Sequence, residues 1–154
     1  MKRSTLVRLS AVAVGATVPG ATTFGAASAA AKKSHRLSVH VDQNDPAVMN
    51  QSLNNIENVI SHYDGTGETV EIELVAYGPG LHMLRDDTSP VKPRLVTIKS
   101  GMSNVTFSAC NVTRMAMQKA EGHEIPLVAQ ARVVPGGVVR LLELQEAGWP
   151  YIKP

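Results

Sequence analysis

Apolar residues recur at two periods along this chain, in turn, and that alternation limits the folds open to it. Leu37, Val39 and Val41 alternate with Ser38, His40 and Asp42, the period of a strand. Met49, Leu53, Ile56, Ile60 and Tyr63 then follow at 4-3-4-3 spacing, a single apolar face on a helix over about 46–63. Asp45 reads as its cap, Pro46 as its first residue, and Asp64-Gly65-Thr66-Gly67 as its end. Val70, Ile72, Leu74 and Ala76 alternate with Glu71, Glu73 and Val75, a second strand broken by Gly78-Pro79-Gly80. Ser89-Pro90 opens a short helix carrying Val91, Leu95, Ile98 and Met102, with Pro93 tolerable only in its first turn. Val105 to Cys110 is a third strand, and Asn111 caps a helix to about Glu121, closed by Gly122. Val128 to Val134 reads as a fourth strand and Val138 to Gln145 as a helix that stops at Gly148. Tyr151-Ile152 is a short terminal strand.

Strands that alternate with helices of this length imply right-handed crossovers and a mostly parallel α/β sheet with helices on both faces. Ligands in such sheets bind beyond the carboxyl ends of the strands. The first strand is followed by Asp42, Gln43 and Asn44, the second by Tyr77, Gly78, Pro79, Gly80 and His82. The third ends at Cys110 and Asn111, so all three sets belong on one edge.

The first residues read as an address. Lys2, Arg3 and Arg8 precede an apolar run from Leu9 to about Val18, and Ala27-Ser28-Ala29 supplies a cleavage triplet. The expectation is a secretory signal peptide over 1–29, a mature domain over 30–154 and a periplasmic location. The run is too short for a membrane span, which needs about 20 residues. All 13 acidic residues and 12 of the 15 basic ones lie after residue 29, so the mature balance is −1. No basic stripe for nucleic acid and no basic amphipathic helix for membranes is present.

Cys110 is the one cysteine of the chain. In an exported protein it forms no internal disulfide, which leaves buried filler, an intermolecular link or a reactive group. A free thiol with pKa about 8.5 is only a few per cent ionised at neutral pH, whereas sulfur chemistry runs through the thiolate. A helix N-terminus after Cys110 favours that thiolate through its partial positive charge and unpaired N–H groups. His82 and Arg114 are candidate cationic neighbours. Asn111 and the backbone N–H groups of Gly78 and Gly80 are candidates to hold an anionic sulfur group, and Asn44 shares the edge. His82 also reads as an ordinary loop histidine, and His40, set among apolar neighbours, as structural. Asp86-Asp87 reads as a solvated carboxylate pair. His82, Met83, Met115 and Met117 raise copper binding as a reading, against which core methionines stand.

Four stretches together resemble the DsrE/DsrF-like proteins of sulfur metabolism, over most of the mature chain. They are the strand-to-helix run Leu37 to Tyr63 and the strand Glu73-Leu74-Val75-Ala76-Tyr77-Gly78-Pro79-Gly80. With them go the motif Phe107-Ser108-Ala109-Cys110-Asn111 and the closing run from Val133-Val134-Pro135-Gly136-Gly137-Val138 to Gly148-Trp149-Pro150-Tyr151-Ile152-Lys153-Pro154. The resemblance implies a three-layer α/β/α domain with five parallel strands, assembled into trimers or hexamers. It further implies that Cys110 carries sulfur as a persulfide between a donor and an acceptor protein, with no cofactor and no metal. Many relatives have Cys-Gly-Asn where Asn111 here follows Cys110 directly. The competing expectation is a non-catalytic oligomeric module that binds a ligand or partner and in which Cys110 only packs. A metal-binding protein using His82, Cys110 and nearby methionines is the third.

Overall fold

The computed structural model describes residues 33–154; the expected leader and its cleavage triplet lie outside the described residues. Five strands form one all-parallel sheet in the order β4-β3-β2-β1-β5. They are β1 (Ser34–Val41), β2 (Thr69–Ala76), β3 (Val105–Cys110), β4 (Ala131–Val134) and β5 (Tyr151–Ile152). The connecting helices are α1 (Pro46–Thr66), α2 (Lys92–Gly101), α3 (Asn111–Glu121) and α4 (Gly137–Glu146). No helix of the described residues is long and apolar enough to cross a membrane.

Side-chain alternation divides the sheet into two unlike faces. Leu37, Val39, Val41, Ile72, Leu74, Ala76, Val105, Phe107 and Ala109 share the first face and form the main core with the apolar sides of α1 and α2. From α1, Met49, Leu53, Ile56 and Ile60 are buried there. Each such side chain contributes at most about 1.5–3 kcal/mol. Asp45 caps α1, its Oδ1 accepting the Ala47 N–H at 2.7 Å, and Gly67 closes it in the left-handed region at φ 72°.

The second face is largely polar. Ser38, His40, Glu73, Ser108 and Cys110 alternate with the core residues, and all five are buried. Helix α4 covers this face, packing Leu141 and Leu144 on Val75, with Tyr77 and Trp149 beside them. Glu73 is the anchor. Arg140 of α4 binds it with two hydrogen bonds of 2.8 Å, Ser108 donates at 2.6 Å, and Arg132 approaches to 2.7 Å. Burial alone would raise the Glu73 carboxyl, but the bonds from Arg140, Ser108 and Arg132 outweigh it and hold its pKa at about 2.

Three details differ from the sequence reading. Val128 precedes the fourth strand, which begins at Ala131; Val128 instead gives its N–H to Leu84 O, beside an Arg85–Leu127 bridge. Gly78-Pro79-Gly80 opens a 3₁₀ helix over Gly78–Leu84 and is not a plain turn. Asp87 is exposed as read but is also paired: Arg85, 2% exposed, is clamped between Asp87 and Glu121 and ties the segment after this 3₁₀ helix to α3. Asp86 does stay outside and pairs with Lys92.

Candidate functional site around Cys110

Strand β3 ends at Cys110, and α3 starts at the next residue. Cys110, not Asn111, is the cap of α3: its backbone is extended (φ −69°, ψ 117°) and its sulfur accepts the Thr113 N–H at 3.5 Å. A second N–H reaches the same sulfur from Gly137, the first residue of α4, at 3.1 Å. Two helices of at least ten residues thus begin at one Sγ atom. Each supplies an otherwise unpaired N–H and the positive end of its dipole.

The electrostatic result follows from this geometry. Burial pushes the thiol up. The Thr113 hydroxyl and the N–H groups of Thr113, Gly137 and Val112 pull it down more strongly, and the net pKa is lowered from its usual value. No side-chain cation is needed for the shift.

Close approach of α4 depends on Gly137. A Cβ there would stand 2.7 Å from Tyr77 Cβ and 2.9 Å from its ring, so any other residue would push the helix start off the sulfur. Thr113 works in two directions. Its N–H meets the sulfur, while its hydroxyl oxygen accepts the Gly78 N–H at 2.9 Å and joins the loop after β2 to the start of α3.

Cys110 is 4% exposed and lies at the floor of a pocket of about 260 Å³. Tyr77, Val112, Val138 and Val139 wall it. The rim is apolar: Val112, Val138 and Val139 are exposed, and Met115, Val133 and Leu142 continue the exposed apolar surface on α3, β4 and α4. A larger hollow, about 670 Å³, lies near the amino end of β1 between His35, His62 and Tyr63. It is at the other end of the strands from the sulfur.

Several expected site residues are placed elsewhere. Asn111 is the first residue of α3 and its amide reaches Met115 Sδ at 3.6 Å. The ring of His82 meets Thr88 Oγ1 at 2.9 Å and does not line the pocket. Arg114 is committed to the segment after α3, donating to Ile125 O and Glu124. The Gly78 N–H belongs to Thr113, so Gly78 touches the site through that residue. The Gly80 N–H goes to Tyr77 O at 3.1 Å, and Gly80 is needed because a Cβ would run into the Val41 carbonyl. Asn44 is exposed in the loop between β1 and α1. None of these N–H groups or side chains meets the sulfur. Thr113, Gly137 and Tyr77 do shape the site; Tyr77 was placed on this edge by the sequence, whereas Thr113 and Gly137 were not singled out. A threonine three residues after a strand end and a glycine pair opening a helix were the available signals. Among the described residues no three His, Cys, Asp or Glu side chains gather as a metal site.

No protein-family model matches this chain, and no curated protein matches it. Among solved structures, a protein of unknown function, MTH1491 from Methanobacterium thermoautotrophicum, is similar at 30% sequence identity with a TM-score of 0.66. The match covers 78% of this chain and 99% of that one. An identity of that size over the whole length of the relative carries more than a shared architecture, and the chain belongs to the family of MTH1491.

Proposed function

We propose that the protein is an exported sulfur-relay protein of the DsrE/DsrF-like kind, in which Cys110 accepts a sulfane sulfur and passes it to a partner. The observation that carries this reading is the double backbone capping of one sulfur, by Thr113 at 3.5 Å and Gly137 at 3.1 Å. A thiolate held by fixed N–H groups is both the attacking and the leaving form needed for relay. In loading, Cys110–S⁻ attacks the outer sulfur of a donor R–S–SH. The donor S–S bond breaks, R–S⁻ leaves, and Cys110–S–SH remains. In unloading, an acceptor thiolate attacks that outer sulfur and Cys110 departs as the stabilised thiolate.

The apolar pocket suits a polarisable, weakly hydrated sulfur chain better than a small hydrophilic anion. Its exposed rim suits docking of a protein donor or acceptor, and further chains of the same protein in a trimer or hexamer. The leader pattern supports a periplasmic location for this work.

Intact-mass measurement after exposure to polysulfide tests the proposal. The mature protein is expected to gain the mass of one sulfur atom, reversibly with reductant, and the C110S variant to gain none. A wild-type protein that never gains it while its thiol reacts with an alkylating agent refutes the relay. The 4% exposure of Cys110 favours a second reading, the non-catalytic binding module. A thiol that resists alkylation until the protein unfolds would select that module.

A further inference from the structure

Strand β1 is paired along its whole length on one side and along two residues on the other. Its ladder with β2 runs from Ser34↔Thr69 to Val41↔Ala76, whereas its ladder with β5 holds only Ser38↔Tyr151 and Val39↔Ile152. The sequence explains why the second ladder stops. Lys33 O and Val41 O accept N–H groups from the β2 side, while the Ser38 N–H goes to Pro150 O. The backbone groups of odd-numbered residues in β1 thus face β2, and those of even-numbered residues face β5. Continued back to Arg36, the parallel pattern takes its next donor from residue 150. That residue is a proline and has no N–H. The Gly148 and Trp149 N–H groups are already given to Gln145 O and Leu144 O at the end of α4. Among the described residues, the outward N–H and C=O groups of Ser34 and Arg36 therefore meet no partner.

This open edge borders the hollow of about 670 Å³, whose opposite wall is α1 through Asn58, Val59, His62 and Tyr63. A strand laid along the edge sends alternate side chains to the two faces of the sheet. On the first face they meet Leu37, Val59 and Tyr63, with the His35 and Tyr63 rings stacked 3.9 Å apart. On the second face they meet Arg36, which is half-exposed and lies over Trp149. Glu71 reaches Arg36 only at 3.9 Å and leaves the guanidinium open to another carboxylate. Glu68 answers His35 from outside the lining. The lining itself holds one arginine and two histidines and, among the described residues, no carboxylate. Lys33, exposed at the start of β1, adds a further positive charge.

Strand β1 already accepts one partner of matching pattern. On its closed side, β2 presents Val70 and Ile72 to the first face and Glu71 and Glu73 to the second, with Glu71 opposite Arg36 in the register. A second copy of this chain is a poor occupant of the open side, because edge-to-edge pairing sets Lys33 and Arg36 against their own kind. We propose that the edge of β1 from Ser34 to Arg36 is a docking site for an extended acidic segment of a partner protein. The segment adds as a strand, apolar and acidic residues in alternation, in the place that β5 leaves empty. The site lies at the opposite end of the strands from Cys110 and stands independently of sulfur transfer.

The probe is a peptide with the pattern of β2, acetyl-Thr-Val-Glu-Ile-Glu-amide, added to the mature chain labelled with nitrogen-15. The expected result is a shift of the Ser34 and Arg36 amide signals and slower exchange of those two N–H groups with solvent. The same peptide N-methylated throughout should not bind, and a version with lysine for both glutamates should bind more weakly. Arg36→Gln should weaken the acidic peptide about threefold, the scale of one half-exposed ion pair. Absence of any shift at these two amides with millimolar peptide would overturn the proposal. Equal binding of the N-methylated peptide would overturn it too, as would equal shifts from glutarate alone, which mark a pocket for small carboxylates. Shifts that follow the protein's own concentration, with no peptide present, would put a second copy on this edge and overturn it as well.

Discussion

At Cys110 a sulfur is held by backbone and not by charged side chains. That choice has consequences for substitution. Gly137→Ala puts a Cβ 2.7 Å from Tyr77 Cβ, so we expect a loss of about 1–3 kcal/mol in chemical denaturation, as for other overpacked sites. We also expect slower alkylation of native Cys110 at neutral pH, because displacing α4 removes the 3.1 Å N–H bond and its share of the thiolate stabilisation. Thr113→Val keeps the N–H at the sulfur but removes the acceptor of the Gly78 N–H and the hydroxyl that lowers the Cys110 pKa most. It should leave the fold intact by circular dichroism and slow alkylation of native Cys110 at neutral pH. The position of Cys110 between a strand and a helix was legible in the sequence. Its partners were not. Neighbours in sequence drew attention to Asn111, and shared loops drew it to His82, but a helix start turns Asn111 outward and the 3₁₀ turn carries His82 to Thr88. The second N–H comes from Gly137, 27 residues along the chain, and only the packing of α4 brings it in.

Among the elements, α4 bears most on the site, because it both covers the polar sheet face and delivers Gly137. Its anchor is Glu73. The folded pKa of Glu73, about 2, lies below its ordinary 4.5. A depressed carboxylate contributes stability that is fully present above the ordinary value and lost as pH falls toward about 2. We therefore expect denaturation midpoints to fall over that window, and Glu73→Gln to flatten the dependence. At neutral pH the same variant should lose about 1–3 kcal/mol, since Arg140 and Arg132 keep partial access to solvent when their partner is removed. The strand pattern of Val70, Ile72, Leu74 and Ala76 was plain in the sequence, and so was the helix over Val138 to Gln145. What periodicity could not show is that Glu73 lies under α4. A polar residue between apolar ones reads the same whether water or an arginine faces it. The short β4 was overextended for a related reason: Val128 is buried against Leu84, which gives it the apolar character of a strand residue without a place in the ladder.

For the whole molecule, the parallel sheet sets the chemistry at one edge. Cys110 ends β3, Tyr77 follows β2, Asp42 follows β1, and Lys153 follows β5, in one row at the carboxyl ends of the strands. Beside this row the exposed Val112, Met115, Val133, Val138, Val139 and Leu142 form an apolar border that includes the edge strand β4. The proposed trimer or hexamer would cover this border, so the expected sedimentation result at micromolar concentration is assemblies, which Leu142→Arg should shift toward monomer. A monomer only would refute the assembly. Sulfur relay at this edge depends on the ionisation of one atom, Cys110 Sγ. The most direct measurement is the ultraviolet absorbance of the thiolate against pH, wild type minus C110S, compared with the same protein unfolded. A midpoint below that of the unfolded chain is the predicted result. A midpoint at or above it would mean that burial outweighs the two helix starts, and the sulfur would be packing material.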